Sequence, residues 1–188
     1  MKNKMKTISF FTILAIFFIT TTATAQKVYT KNGSISFFSK SPLENISADN
    51  NQVMSVLNQQ TGDMQFSVLI KGFRFKKSLM EEHFNENYLE SNKYPKAVFK
   101  GMVADLSKIN FSKDGTYPVI VSGDLTMHGV TNKVSAPGTI SIKAGVANAS
   151  SKFTLKLADY KITIPNLVKD NISKQIDISV SCSYTQKM

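Results

Sequence analysis

The sequence predicts an all-β protein: an eight-stranded antiparallel barrel with an apolar interior and one amphipathic helix inserted mid-chain. Three observations predict it. Apolar and polar residues alternate with period two in about eight segments, as half-buried strands do. Short links with turn residues separate those segments, which makes neighbouring strands antiparallel. A single segment near residue 80 changes to helical spacing.

The chain begins with residues that do not belong to the barrel. Lys2, Lys4 and Lys6 precede an uncharged apolar stretch over residues 8–19, and Ala23-Thr24-Ala25 stands just before Gln26. That order of positive start, short apolar run and Ala-x-Ala marks a secretory signal peptide over residues 1–25, cleaved after Ala25. The apolar run is too short to span a bilayer comfortably. The expectation is therefore an exported protein that works outside the cytoplasm, with one domain over residues 26–188. Three lysines leave with the leader and no acid does, so the net charge falls from +10 to +7. The remaining lysines are spread along the chain. They form no basic cluster of the kind that binds nucleic acid, but they allow transient contact with an anionic membrane surface.

The strands follow in order. Ile35 and Phe37 nominate the first, and residues 53–57 the second. Phe66, Val68 and Ile70 alternate with Ser67 and Lys71 in the third. Residues 98–104, containing Phe99, form the next, followed by Val119, Val121, Gly123, Leu125 and Met127. Residues 134–144 come after it, then Phe153, Leu155 and Leu157. The last strand carries Ile176, Ile178, Val180, Cys182 and Tyr184, with Asp177 and three serines between them. Turn signals fall at Thr61-Gly62-Asp63, Asp114-Gly115, His128-Gly129 and Pro137-Gly138.

Between the third strand and residue 98 the period changes. Ser78-Leu79-Met80-Glu81 fits a capping box, and Met80, Phe84 and Tyr88 recur every fourth residue as one apolar stripe. Pro95 marks the return to extended chain. The helix either gates one mouth of the barrel or plugs its core.

Eight strands with one apolar face each are satisfied by a sandwich or a closed barrel, and closure also removes exposed edges. At eight strands the interior is filled by side chains or holds one small ligand. The polar face decides which side is wet. Lys71, Lys100, Lys152 and Lys156 alternate with the apolar positions. Turned inward they would be buried cations without enough acids to pair them. The chain also has no Trp for an interfacial aromatic belt. The apolar face therefore looks inward and the lysines look out, unlike an outer-membrane barrel.

The lumen residues nominated on this basis are Phe37, Phe66, Val68, Ile70, Phe99, Val121, Leu125, Met127, Phe153, Leu155, Leu157, Ile178 and Val180 from the strands. Met80, Phe84 and Tyr88 join them from the helix. Met80, Met102 and Met127 would suit an irregular apolar tail if they face the cavity. The same composition would serve a filled core, so a ligand-free barrel acting through its surface is the competing expectation.

Chemistry-bearing residues are few. The chain has one cysteine and two histidines, and it shows no G-x-S-x-G elbow, H-E-x-x-H pair or phosphate-binding Gly-rich loop. No catalytic residue and no metal site is expected, and the protein is not expected to be an enzyme. His83 and His128 are candidates for contacts with a polar headgroup or for shaping a turn. Cys182, on the apolar face of the last strand, is expected to be buried and inert.

Two segments resemble a known family. Gly123-Asp124-Leu125-Thr126-Met127-His128-Gly129-Val130-Thr131 followed by Lys133-Val134 resembles the most characteristic strand–turn segment of YceI-like proteins. Lys93-Tyr94-Pro95-Lys96-Ala97-Val98-Phe99-Lys100-Gly101 is similar to that family's Tyr-Pro segment, and residues 79–88 resemble a subgroup of it. The resemblance implies an extended, lipocalin-like eight-stranded barrel in the periplasm that encloses a long isoprenoid lipid, such as a polyprenyl compound or quinone, with no other cofactor. It also implies a homodimer. Stress-associated roles are likewise ascribed to the family, so an envelope interaction module without a small-molecule ligand stays open as the alternative.

Overall fold

A computed structural model describes residues 27–188. The signal-peptide reading of residues 1–25 lies outside the described residues. Ten strands form a single sheet: β1 (Lys27–Lys40), β2 (Asn45–Asn58), β3 (Asp63–Leu69), β4 (Arg74–Phe75), β5 (Lys96–Val103), β6 (Gly115–Met127), β7 (Val130–Lys143), β8 (Val146–Lys156), β9 (Gln175–Tyr184) and β10 (Gln186–Lys187). Eight of them close into an antiparallel barrel in the order β1, β2, β3, β5, β6, β7, β8, β9. The two-residue strands β4 and β10 lie outside that circuit, paired to β2 and β1.

The lysines point as charge burial requires. Lys71, Lys100, Lys152 and Lys156 are all exposed, while the apolar residues beside them turn inward. An apolar-inside barrel is the structure observed.

Besides the β5–β6 loop at residues 104–114, which carries a 3-10 turn at Leu106–Lys108, two insertions interrupt the hairpin pattern, and both fall at the same end of the barrel. The first, between β3 and β5, carries helix α1 (Ser78–His83), which continues as a π-helical turn over Phe84–Tyr88. The second, between β8 and β9, contains short 3-10 turns at Leu157–Tyr160 and Asn166–Val168. The opposite end is sealed by Val28, Leu57, Met64, Ile140, Ile142, Cys182 and Tyr184, all buried together. The barrel is thus blind at one end and elaborated at the other.

Local expectations need four corrections. Pro137-Gly138 is no turn: β7 runs straight through it, pairing Ile120 with Pro137 and Val119 with Gly138. Pro137 is tolerated because β8 begins to pair with β7 only at Gly138, so no neighbour on that side misses the absent N–H. The turn instead comes at Ala144-Gly145, both at positive φ. The capping box does not form either. Lys77 is the cap residue, and Glu81 accepts hydrogen bonds from Arg74 and from the Phe75 backbone N–H. Ile70 and Leu157 keep their inward positions but begin 3-10 turns rather than continuing their strands. Met102 faces solvent, one residue out of phase with the lumen.

Candidate functional site

The inner residues of the eight strands do not meet. They enclose a cavity of about 390 Å³ that reaches from the middle of the barrel to the elaborated end. That volume lies within the range of small-molecule sites, about 300–1,000 Å³.

All sixteen apolar residues nominated from the sequence lie on its wall. Phe37, Phe66, Val68, Phe99, Val121, Leu125, Met127, Phe153, Leu155, Ile178 and Val180 come from barrel strands. Ile70 and Leu157 come from the 3-10 turns that follow β3 and β8. Met80, Phe84 and Tyr88 approach from the helix, on the stripe that their spacing implies.

The helix is fixed as wall. The Phe84 ring stacks on Phe37 at 5.6 Å and meets Phe73 and Phe75 at 5.5 and 5.0 Å. This cluster holds the helix against β1 without filling the lumen behind it. Phe73 and Phe75 also line the cavity and were not among the nominated residues, although their Phe-x-Phe alternation was visible. Ile46, Ile162, Val168 and Ile172 line it too. Most of these belong to the insertions, whose irregular backbone leaves no period to read.

Polar groups gather at the mouth. Ser39, Glu44, His83 and Asn171 border it. Glu44 is already engaged by the Lys77 ammonium at 2.7 Å, and the Ser39 hydroxyl accepts a hydrogen bond from the Ser173 backbone N–H. Tyr88 is the phenol on the wall; burial pushes it above its ordinary value, so it stays neutral. The deeper wall is uncharged and mainly apolar, broken by Thr139, Ser150 and Ser151 between β7 and β8, where the Ser151 hydroxyl donates to the Pro137 carbonyl.

The two histidines separate. His83 is exposed and borders the mouth, in reach of a headgroup. His128 does not line the cavity. Its Nδ1 lies 3.0 Å from the Tyr160 carbonyl and its Nε2 2.8 Å from the Glu90 carboxylate, so both ring nitrogens are taken. It shapes more than its own turn, since it ties the β6–β7 hairpin to both insertions. Cys182 also lies off the cavity, buried at the blind end, where desolvation raises its thiol to about 11. Among the described residues no three His, Cys, Asp or Glu side chains converge to hold a metal.

Fold and cavity together define a class: a closed β-barrel whose apolar lumen opens at one end and is sized for a small molecule. The family follows from a direct match: the YceI-like domain model covers residues 6–184, and the chain belongs to that family. No curated protein matches the sequence significantly. Among solved structures, the fold is similar to a polyisoprenoid binding domain from Saccharophagus degradans implicated in plant cell wall breakdown. Its TM-score is 0.75 at 14% identity, over 87% of this chain and 99% of that one. BcnA from Burkholderia cenocepacia is similar at a TM-score of 0.65 and 14% identity, over 81% of this chain and 96% of that one. A YCEI protein of Campylobacter jejuni gives 0.56 at 16% identity, over 77% and 88%. At such identities these likenesses establish the fold.

Proposed function

We propose that this protein is a periplasmic carrier or reservoir for a long apolar lipid of isoprenoid type, a polyprenyl compound or a quinone. One observation carries the reading: a barrel whose core residues leave about 390 Å³ unfilled, with a mainly apolar wall and no charged group deeper than the mouth. A filled barrel acting through its surface would have no use for such a space. Each methylene transferred from water into it contributes about 0.8 kcal/mol, so affinity grows with chain length without any specific contact. The polyisoprenoid binding domain that shares the fold supports the same ligand class. The leader-like residues 1–25 support export. The role we propose is binding rather than catalysis.

Lipid extraction and mass spectrometry of protein purified from its native host tests the reading. Recovery of a polyprenyl lipid or quinone is expected. Repeated recovery of empty protein, with no uptake of either class from detergent, overturns it.

A further inference from the structure

Three segments ring the mouth of the lumen: the turn at residues 41–44, the start of α1, and the loop at residues 165–173. They are tied together. The Leu43 N–H donates to the Asp170 carbonyl at 3.3 Å, and the Lys77 ammonium meets the Glu44 carboxylate at 2.7 Å. Each segment also contributes to the cavity wall, through Glu44, Met80 and Asn171 among others.

Each of the three presents one leucine to solvent: Leu43 is 70%, Leu79 60% and Leu167 95% exposed. Among the described residues these are the three most exposed large apolar side chains. A single exposed leucine needs no explanation, but three around one opening do. Lysines stand beside them: Lys40, Lys76, Lys169 and Lys174 are exposed, as is Lys77, whose ammonium is held by Glu44. Of the four acids on the same segments, Glu44 is paired with Lys77 and Glu81 with Arg74, leaving Glu82 and Asp170.

We propose that this leucine–lysine rim docks the lumen mouth onto an anionic lipid bilayer. The three leucines enter the headgroup–acyl boundary while the lysines meet lipid phosphates, the pairing that holds peripheral proteins at a membrane surface. Docked in this way, an apolar tail passes from bilayer to lumen without exposure to water, whose avoidance is the driving force for both compartments. The inference rests on the carrier reading and adds the place where cargo is exchanged.

The test is flotation with vesicles of phosphatidylcholine alone or mixed with phosphatidylglycerol, comparing the native protein with a Leu43→Ser, Leu79→Ser, Leu167→Ser variant. Uptake of a fluorescent farnesol analogue from detergent is measured in parallel. The native protein should prefer the anionic vesicles, and the variant should lose about tenfold in vesicle affinity with the same thermal midpoint and the same probe uptake. Vesicle binding that is absent, or indifferent to the three leucines, overturns the docking surface even where probe uptake persists. Leucine-dependent vesicle binding without probe uptake upholds the surface and removes the carrier reading instead. A dimer in light scattering that the variant breaks, with no vesicle binding, assigns the rim to a second copy of the chain and also overturns the proposal.

Discussion

At the scale of single residues, the barrel depends on positions where a side chain is missing or cannot ionise. Gly101 and Gly123 face each other across β5 and β6 on the lumen side. A Cβ on Gly123 would collide with the Gly101 Cα and the Lys100 carbonyl oxygen, neither of which can rotate aside. Gly123→Ala should therefore destabilise by about 3 kcal/mol, the upper end of overpacking costs, as read from chemical denaturation. Gly129 is fixed for two reasons: its φ is +73°, and an added Cβ would lie 2.6 Å from the Tyr94 ring. Cys182 is held neutral chiefly by burial, which raises the thiol from 9.0 to about 11, against hydrogen bonds from Ser55 and Ser34 that lower it. The folded state keeps a proton that the unfolded chain releases. Its stabilising contribution is complete below pH 9.0 and is lost as pH rises toward about 11. The thermal midpoint should fall across that window, and Cys182→Ala should flatten part of the fall. Tyr184, also raised by burial, adds to the decline above its ordinary range. A thiol reagent at about pH 8 should label Cys182 only on unfolding.

At the scale of elements, the helix wall is the part most open to a single substitution. Phe84 is the helix-side ring of the cluster and touches Phe37, Phe73 and Phe75 together. Phe84→Ala should cost about 2 kcal/mol, below the range for fully buried rings because Phe84 is half-buried. It should also weaken uptake of an isoprenoid probe, because the helix is no longer held against β1; calorimetric unfolding and probe titration measure the two effects. The same elements show what the sequence makes legible. Strand β6 can be read residue by residue, since period-two burial puts Val119, Val121, Leu125 and Met127 on one wall. The helix stripe is legible for the same reason at a period of four. What could not be read depends on contacts outside the local period, some near and some far along the chain. His128 looks like a turn residue until Tyr160 and Glu90, 32 and 38 positions away, are brought to its two nitrogens. Ser78 and Glu81 have cap spacing, but the Arg74 guanidinium and the Phe75 N–H outbid the helix start for the carboxylate. Pro137-Gly138 has turn chemistry inside a strand, and only the local absence of a β8 partner makes it acceptable. Ile162, Val168 and Ile172 belong to an insertion without periodicity, so their place on the wall is decided by tertiary packing.

At the scale of the whole molecule, one partition organises everything: cations outside, an apolar and incompletely filled space inside. Leu125→Asp places a carboxylate on the lumen wall with no cation facing it, at a cost of several kcal/mol, and should abolish folding or probe uptake. Lys100→Glu changes the sign of an exposed charge and should leave both intact within about 0.5 kcal/mol. The unfilled lumen has a thermodynamic consequence of its own. Wall residues around a void lack dispersion partners on one side, so the empty barrel forgoes contacts that an occupant supplies. An occupant binds the folded barrel and not the unfolded chain, which no longer has a lumen. Stability must then rise with ligand concentration as RT ln(1 + [L]/Kd), about 2.7 kcal/mol at a hundredfold excess over Kd. For a domain of this size that corresponds to a midpoint increase of about 5–10 °C. Delipidated protein should therefore melt lower than protein taken directly from its host, and adding back the extracted lipid should restore the difference. A polar analogue of equal length should not. A barrel already filled by its own side chains would melt at the same temperature in all three states, so a flat response to lipid counts directly against an occupied lumen.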